Sequence, residues 1–548
     1  MFRRIPNTFN LLVVIYVALG STTCSYSLAV TGSTLGQPSF YQTLDLVPPG
    51  QPGYGGTANL ISGFNGANAG AGFLGCLFVS WFADWAGRKR SIQLGCLIAI
   101  IGAAITAGSV NPGMFIVGRL ISGLSTGILV TVIPMYQSEV STPASRGFMT
   151  CMHGVMFAVG YSLSGWIGYG CYFSSTSSTF GFRFPLAFQG FPPLLLLAGS
   201  KNVPFSPRWL LQQNRFDEAL TVLLKLHSSK QDPEGHEAKR EFYQMRKQLE
   251  LDRSIRAETG AFEVFRTPSN RKRALFSFGL MFGNQFTGVL IIANYGVVLY
   301  EAIGFSGSMP LLLNAVWVSI TLPLNIFTAL YVDRIGRKIL LLVGLAGTTM
   351  SNIFEIALQA TFVGKVPENT AGLNAAIFFI FLFIFFWASC LDATQFVYAS
   401  EIFPTHIRSQ GTAIGMAGLF CGTLVVLVAG PIAFNNIGWK FYFIFIFPPT
   451  IQFILIYLFF PETKQRSLED IAEIFGDKLA VHYFQQSAEE QAMYAQAELE
   501  LDEKKGAGLG VGVIGAGKEG EQVEDVGKRY KCWCLDEADS IALASPRS

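Results

Sequence analysis

The sequence predicts an all-α membrane protein of twelve transmembrane helices, arranged as two pseudo-symmetric six-helix bundles. Three observations predict it. The chain of 548 residues is 51% hydrophobic and only 14% charged, where a soluble protein would carry about 25% charge. About a dozen apolar runs reach the roughly 18–20 residues that cross a bilayer. One charged phrase occurs twice, 249 positions apart: Asp84-Trp-Ala-Gly87-Arg88-Lys89 and Asp333-Arg-Ile-Gly336-Arg337-Lys338. A second pair repeats in the same order, Glu139 with Arg146 and Glu401 with Arg408, each acid seven residues ahead of its base. The same punctuation in both halves marks a doubled bundle, and doubled bundles place a solute site at their interface.

The spans fall near 10–30, 59–82, 91–110, 114–136, 147–171, 184–203, 273–300, 310–332, 339–362, 373–400, 411–433 and 439–460. The chain divides accordingly. Residues 1–203 form the first bundle, 204–272 a cytoplasmic helical insert, 273–461 the second bundle, and 462–548 a partly disordered cytoplasmic tail. In the insert, Phe216, Ala219, Leu220, Leu223, Leu224 and Leu226 recur at helical spacing among charged neighbours. The stretch from Glu237 to Ile255 is dense in charge of both signs. The tail predicts a helix over 478–503. Its Gly510-Val-Gly512-Val-Ile-Gly515 run matches a dinucleotide fingerprint only formally, since no strand precedes it.

Loop charge sets the orientation. With Arg3 and Arg4 in the cytoplasm, the inner loops hold Arg88, Lys89, Arg90, Arg146, Arg334, Arg337, Lys338 and Arg408, and the outer loops only Arg183, Lys365 and Lys440. Both termini are then cytoplasmic. The first apolar run follows two arginines but lacks a small-residue cleavage site, so it reads as a span and not a secretory signal. The nine cysteines show no metal-ligand spacing; most read as small packing residues, and Cys532 and Cys534 as exposed tail residues. No metal or cofactor is expected, and the net charge of +2 gives no reason to expect nucleic acid. The absence of HExxH, a nucleophile elbow, a P-loop or paired Cys-x-x-Cys argues against an enzyme.

Asp84 and Asp333 each end a span before a Gly-Arg-Lys turn. A carboxylate at that depth wants basic partners. The repeat therefore predicts an inner latch in each half, built from Asp84, Arg88, Glu139 and Arg146, and from Asp333, Arg337, Glu401 and Arg408. The alternative is interfacial anchoring by positive charge alone.

These motifs resemble the sugar porter family of the major facilitator superfamily. So do Gly118-Arg119-Leu-Ile-Ser-Gly123, Pro134-Met-Tyr136-Gln-Ser-Glu139, Ser206-Pro207-Arg208-Trp209-Leu210, Gln285-Phe-Thr-Gly288, Glu401-Ile-Phe-Pro404 and Pro461-Glu462-Thr463-Lys464. The resemblance covers about 10–475; the Gly36-Gln-Pro-Ser-Phe40 run and His153-Gly154 look like fungal members. It implies the major facilitator fold, a central sugar or polyol site, alternating access and a multi-pass protein of the plasma membrane, read here as a monomer surrounded by lipid. It places Asn284 and Gln285 where the family has paired glutamines, and Asn294 and Tyr295 where it has an aromatic pair. Asn314 matches the eighth-span asparagine, Phe396 replaces a tryptophan, and Gly154 stands beside His153 where the family has a fifth-span glutamine. Leu290 replaces a further asparagine. The pocket is thus partly remodelled.

Ionisable groups inside spans are functional candidates by default. Arg119, Glu355 and Asp392 stand out, with Glu401 nearer the inner end. Proton-coupled members carry a Gly-Tyr-Asp sequence in the first span, where this chain reads Ser25-Tyr26-Ser27. The base, Arg119, remains and the acid is missing. The expectation is a facilitator of sugar or polyol diffusion. The alternatives are a proton symporter of a sugar or quinate-like acid that uses Asp392, and a nutrient sensor that signals through its tail.

Overall fold

The computed structural model describes residues 7–475 apart from short segments at 49–50, 143–144, 175–178, 228–234, 260–262, 363–369, 405–406, 465–470 and 472–473. Every regular element among the described residues is helical. Ten helices are long and apolar enough to cross a membrane: Thr8–Leu35, Tyr54–Ala86, Arg88–Ala107, Pro112–Val140, Pro268–Glu301, Met309–Ile335, Arg337–Phe362, Ala371–Glu401, Arg408–Ala433 and Lys440–Phe459. The fifth span, Arg146–Tyr172, is as long but diluted by glycine and serine. The sixth is two pieces, Phe180–Phe188 and Phe191–Gly199. Its second piece opens with Pro192 and Pro193, whose missing N–H groups cost little in a first helical turn. The sequence reading draws this span as one run over 184–203; the proline pair divides it.

Two seams join the bundles: the second span packs on the eleventh, and the fifth on the eighth. These seams are related by the pseudo-symmetry, since second and eighth spans correspond, as do fifth and eleventh. Small residues set the approach of the helices. A Cβ at Gly72 would strike the Phe420 ring, and one at Gly75 the Leu124 carbonyl. Trp81, Trp85, Leu275, Phe447 and Tyr457 point outward and are more than half exposed, as a lipid-facing surface requires.

The insert has its own small core. Trp209, Leu210 and Leu211 of helix Pro207–Gln212, and Ala219, Leu220 and Leu223 of helix Phe216–His227, pack on Ala238, Phe242 and Met245 of helix His236–Thr259. Polar ties hold it under the first bundle. The Tyr136 hydroxyl donates to the Pro204 carbonyl at 2.9 Å, and His227 Nε2 lies 3.0 Å from the Val140 carbonyl. His227 Nδ1 pairs with Glu241 at 2.8 Å. Burial alone would lower the His227 pKa, but the Glu241 carboxylate and the Val140 carbonyl hold it above the ordinary histidine value. Burial likewise would raise Glu241, but His227, then Arg208 and Arg146, hold it below the ordinary carboxylate range. The expected tail helix over 478–503, the Gly510–Gly515 run, Cys532 and Cys534 lie outside the described residues. The cysteines at 24, 76, 96, 151, 171 and 390 are buried and unbridged.

Candidate functional site

Two spans lose regular helix at the same depth. The seventh breaks at a 3-10 turn, Gln285–Thr287, followed by Gly288 at φ +103°, a conformation that favours glycine. Helix resumes as Val289–Ile303. The tenth carries a π turn, Trp387–Leu391, directly before Asp392. Extra-residue turns of this kind re-aim side chains and recur at functional sites. Here both breaks face one cavity between the bundles, of about 60 Å³. Ligand pockets run to roughly 300–1,000 Å³, so this is the closed-down form of a site.

The lining is mostly apolar, with Phe157, Tyr161, Trp317, Trp387 and Phe396 supplying ring faces. Five polar side chains interrupt it: Gln285, Thr321, Asp392, Gln395 and Thr423. Gln285 donates its Nε2 to the Met281 carbonyl at 3.0 Å, which leaves its oxygen for a solute. Asp392 accepts from Asn325 Nδ2 at 2.9 Å on one oxygen only. The cavity therefore offers acceptors at Gln285 and Asp392, inside a frame suited to the apolar face of a ring.

The structure sorts the sequence-derived candidates by layer. Gln285, Phe396 and Asp392 line the cavity. His153 lies behind Phe396, ring centroids 4.5 Å apart, with Nδ1 2.8 Å from Ser21 Oγ. Asn284 does not line the cavity; it stands one layer behind, bonded to Gln395, which does, and to Gln452. Asn294 donates to its own helix at the Leu290 carbonyl, 3.0 Å away. Tyr295 spans the bundles: its hydroxyl accepts from Asn65 Nδ2 at 2.8 Å and donates to the Leu427 carbonyl at 3.1 Å. Asn314 packs against Gly296. At Gly154 there is no room for a glutamine, since Ala393 occupies the space a Cβ would take. Gln395, Thr423, Trp317 and Trp387 were not singled out from the sequence. Gln395 carried a usable signal, a polar residue inside a span and three positions after Asp392.

At the inner rim the repeat becomes two matched clusters. Arg88 is buried and reaches Glu139 Oε1 through Nε at 3.1 Å and Nη2 at 3.0 Å, and Asp84 through Nη1 at 3.2 Å. Arg337 meets Glu401 with two parallel bonds, Nε to Oε2 at 3.1 Å and Nη2 to Oε1 at 2.9 Å, and Asp333 at 2.8 Å. The acid of each Glu–Arg pair expected from the seven-residue spacing is thus held by the arginine of the repeated turn. The arginines after them, Arg146 and Arg408, open the fifth and eleventh spans. The clusters also touch across the seams. Ser409 Oγ donates to Asp84 at 2.6 Å, and Gly147 sits against Asp333 so closely that a Cβ would collide with it.

Arg119 is buried and donates to the Ser27 carbonyl at 2.7 Å; among the described residues it has no carboxylate partner. Ser27 Oγ accepts from Gln189 at 3.1 Å. Glu355 lies away from the cavity and accepts from Gln359 at 3.1 Å. Among the described residues no group of side chains is arranged to hold a metal ion.

Residues 13–475 match the family described as "Sugar (and other) transporter". The chain belongs to that family. It is therefore a multi-pass transporter of the major facilitator superfamily, a transporter class and not an enzyme class. Among its fungal relatives, an MFS-type transporter of Aspergillus cristatus, criB, is 32% identical over 75% of this chain and 83% of its own. A high-affinity glucose transporter of Kluyveromyces lactis is 27% identical over 87% of each chain. The fold matches that of the proton:xylose symporter XylE bound to 6-bromo-6-deoxy-D-glucose, with a TM-score of 0.73 at 20% identity, over 86% of this chain and 100% of the other.

Proposed function

We propose that this transporter carries a sugar or a related polyhydroxylated solute by alternating access, as a facilitator. The observation that carries the reading is the cavity itself. Two interrupted spans, one from each side of the second bundle, direct Gln285 and Asp392 into an aromatic-walled space on the seam between bundles. Interrupted spans at a repeat interface are where carriers of this kind hold solute. An amide and a carboxylate suit hydroxyl donors, and ring faces suit the apolar side of a pyranose. The glucose transporter among the relatives points the same way.

The carrier works by exchanging rim contacts for solute contacts. With the rim clusters closed, solute enters from outside. Its bonds to the seventh and tenth spans then favour closure above, and the seam contacts at Asp84–Ser409 and Gly147–Asp333 part. The rim arginines stay paired within their own bundles, so each bundle moves as a unit. We read the chain as a plasma-membrane monomer with both termini in the cytoplasm.

The facilitator reading rests on Arg119, which bonds a backbone carbonyl at the position where a proton-coupled carrier needs an acid. One specific observation favours a second reading, symport: Asp392 stands in the cavity with one oxygen uncommitted. Uptake of labelled sugars in cells stripped of their own carriers, with and without a proton uncoupler, separates the two. Facilitated transport is insensitive to the uncoupler. Uptake that needs the gradient in the natural chain and loses that need in Asp392→Asn would overturn the facilitator.

A further inference from the structure

Three side-chain amides form a line from the outer face of the second bundle to the central cavity. Gln452, on the twelfth span, floors a groove that is otherwise lined by apolar residues such as Leu275, Phe447 and Phe459. Its Nε2 donates to the Leu280 carbonyl at 3.1 Å and to Asn284 Oδ1 at 2.8 Å. Asn284 Nδ2 donates to Gln395 Oε1 at 3.0 Å. All three are buried, and Gln395 lines the cavity.

The direction of these bonds is dictated by chemistry. A backbone carbonyl only accepts. The end of Gln452 that faces Leu280 must therefore be its NH2 group, and the same group meets Asn284. Asn284 must accept there, so its own NH2 faces Gln395. Gln395 must accept in turn, and what it leaves for the cavity is its NH2. Gln285, anchored on the Met281 carbonyl by the same logic, leaves an oxygen. Two amides in one cavity thus show opposite polarity, each fixed by a helix carbonyl outside it.

We propose that Gln452 is a positioning residue for solute specificity: acting through Asn284, it locks Gln395 as a hydrogen-bond donor toward the solute. The inference rests on the proposed sugar site and names its pattern. The solute must bring a hydroxyl oxygen that accepts from Gln395, and hydroxyl protons for Gln285 and Asp392. Without Gln452, Asn284 is free to turn over, and Gln395 turns with it to satisfy whichever end is presented.

The test is transport of a panel of deoxy and deoxyfluoro sugars by the natural chain and Gln452→Leu. At one position of the sugar, replacing OH by H raises KM about five- to tenfold in the natural chain, the worth of one buried bond; replacing it by F, which still accepts, costs less. In Gln452→Leu, where Gln395 can also present its oxygen, fluorine loses its advantage over hydrogen at that position and the two analogues come within about twofold of each other, while penalties at the positions facing Gln285 and Asp392 stay, and kcat changes little. A uniform KM change across the panel, or none, overturns the proposal. A second measurement needs no solute. Gln452→Leu and Gln395→Leu lower the melting temperature of the purified carrier non-additively, although the two side chains are joined only through Asn284, and the shifts become additive in Asn284→Leu. Additivity throughout overturns the relay. A natural chain that carries no sugar of the panel, with the coupling intact, overturns the sugar reading and leaves the relay standing.

Discussion

The two inner-rim clusters have the same core and different closures. On the first bundle, Arg88 puts two nitrogens on one oxygen of Glu139, while the other oxygen takes a 2.5 Å bond from Ser206 Oγ at the start of the insert. The Trp209 indole seals the cluster by donating to the Asp84 carbonyl at 3.0 Å. On the second bundle, Arg337 holds both oxygens of Glu401, and closure comes from the stretch after the twelfth span. There Glu462 accepts from the backbone N–H groups of Arg337, Lys338, Thr463 and Lys464, at 2.9–3.0 Å. Two of those N–H groups open the ninth span, where a carboxylate also meets the positive end of the helix dipole. The duplicated ion pair is thus a common hinge point. Both acids also take a hydroxyl, Glu139 from Ser206 at the insert and Glu401 from Thr463 after the twelfth span at 3.1 Å; only the second closure adds a full charge, that of Glu462.

The largest effect is expected at the shared core. Glu139→Leu and Glu401→Leu each take from a buried arginine its buried carboxylate and leave it only the more exposed Asp84 or Asp333, a loss on the order of 3–5 kcal/mol. Both should abolish uptake and lower the melting temperature strongly; a mild result on one side only would break the equivalence of the two cores. Next comes the unequal closure. Glu462→Gln removes the charge from four bonds and should cost about 1.5–3 kcal/mol. Ser206→Ala, on the first bundle, should cost about 1 kcal/mol, in line with one hydrogen bond and a helix cap. Melting curves of the two variants side by side check the ranking, and equal shifts would erase the asymmetry.

The smallest effect is graded with pH and touches only the first bundle. The raised His227 and lowered Glu241 values mean that their pair contributes in full between the ordinary carboxylate and histidine values, about 4.3 and 6.5. The contribution fades as pH rises through the raised value of His227, and again as pH falls through the lowered value of Glu241. Proteolysis of the insert near 216–227 should therefore quicken from pH 6 toward pH 8.5, and His227→Gln should flatten that slope. A slope unchanged in the variant would detach the insert from this pair. Gating on the second bundle, read from cysteine labelling near Asp333, should show no such dependence.

The sequence alone determined the number of spans and the doubled rim, because span length, apolarity and charge segregation are local properties that a bilayer enforces one helix at a time. The residues singled out from the sequence and its family resemblance include Gln285, Phe396 and Asp392, which line the cavity. Only the tertiary structure decided which polar neighbour reached the cavity. Asn284 and Gln285 are adjacent, so helical geometry points them about 100° apart, and the packing of the eleventh and twelfth spans turned Gln285 in and Asn284 toward Gln452. Likewise Glu139 meets Arg88, fifty-one positions away, a pairing that no local spacing shows. That contact depends on the lateral fit of the second, third and fourth spans, set by glycines such as Gly75, Gly95 and Gly127 whose close contacts no periodicity reveals. Where several partners of matching chemistry lie within reach of one side chain, sequence supplies the candidates and packing at the level of an ångström selects among them.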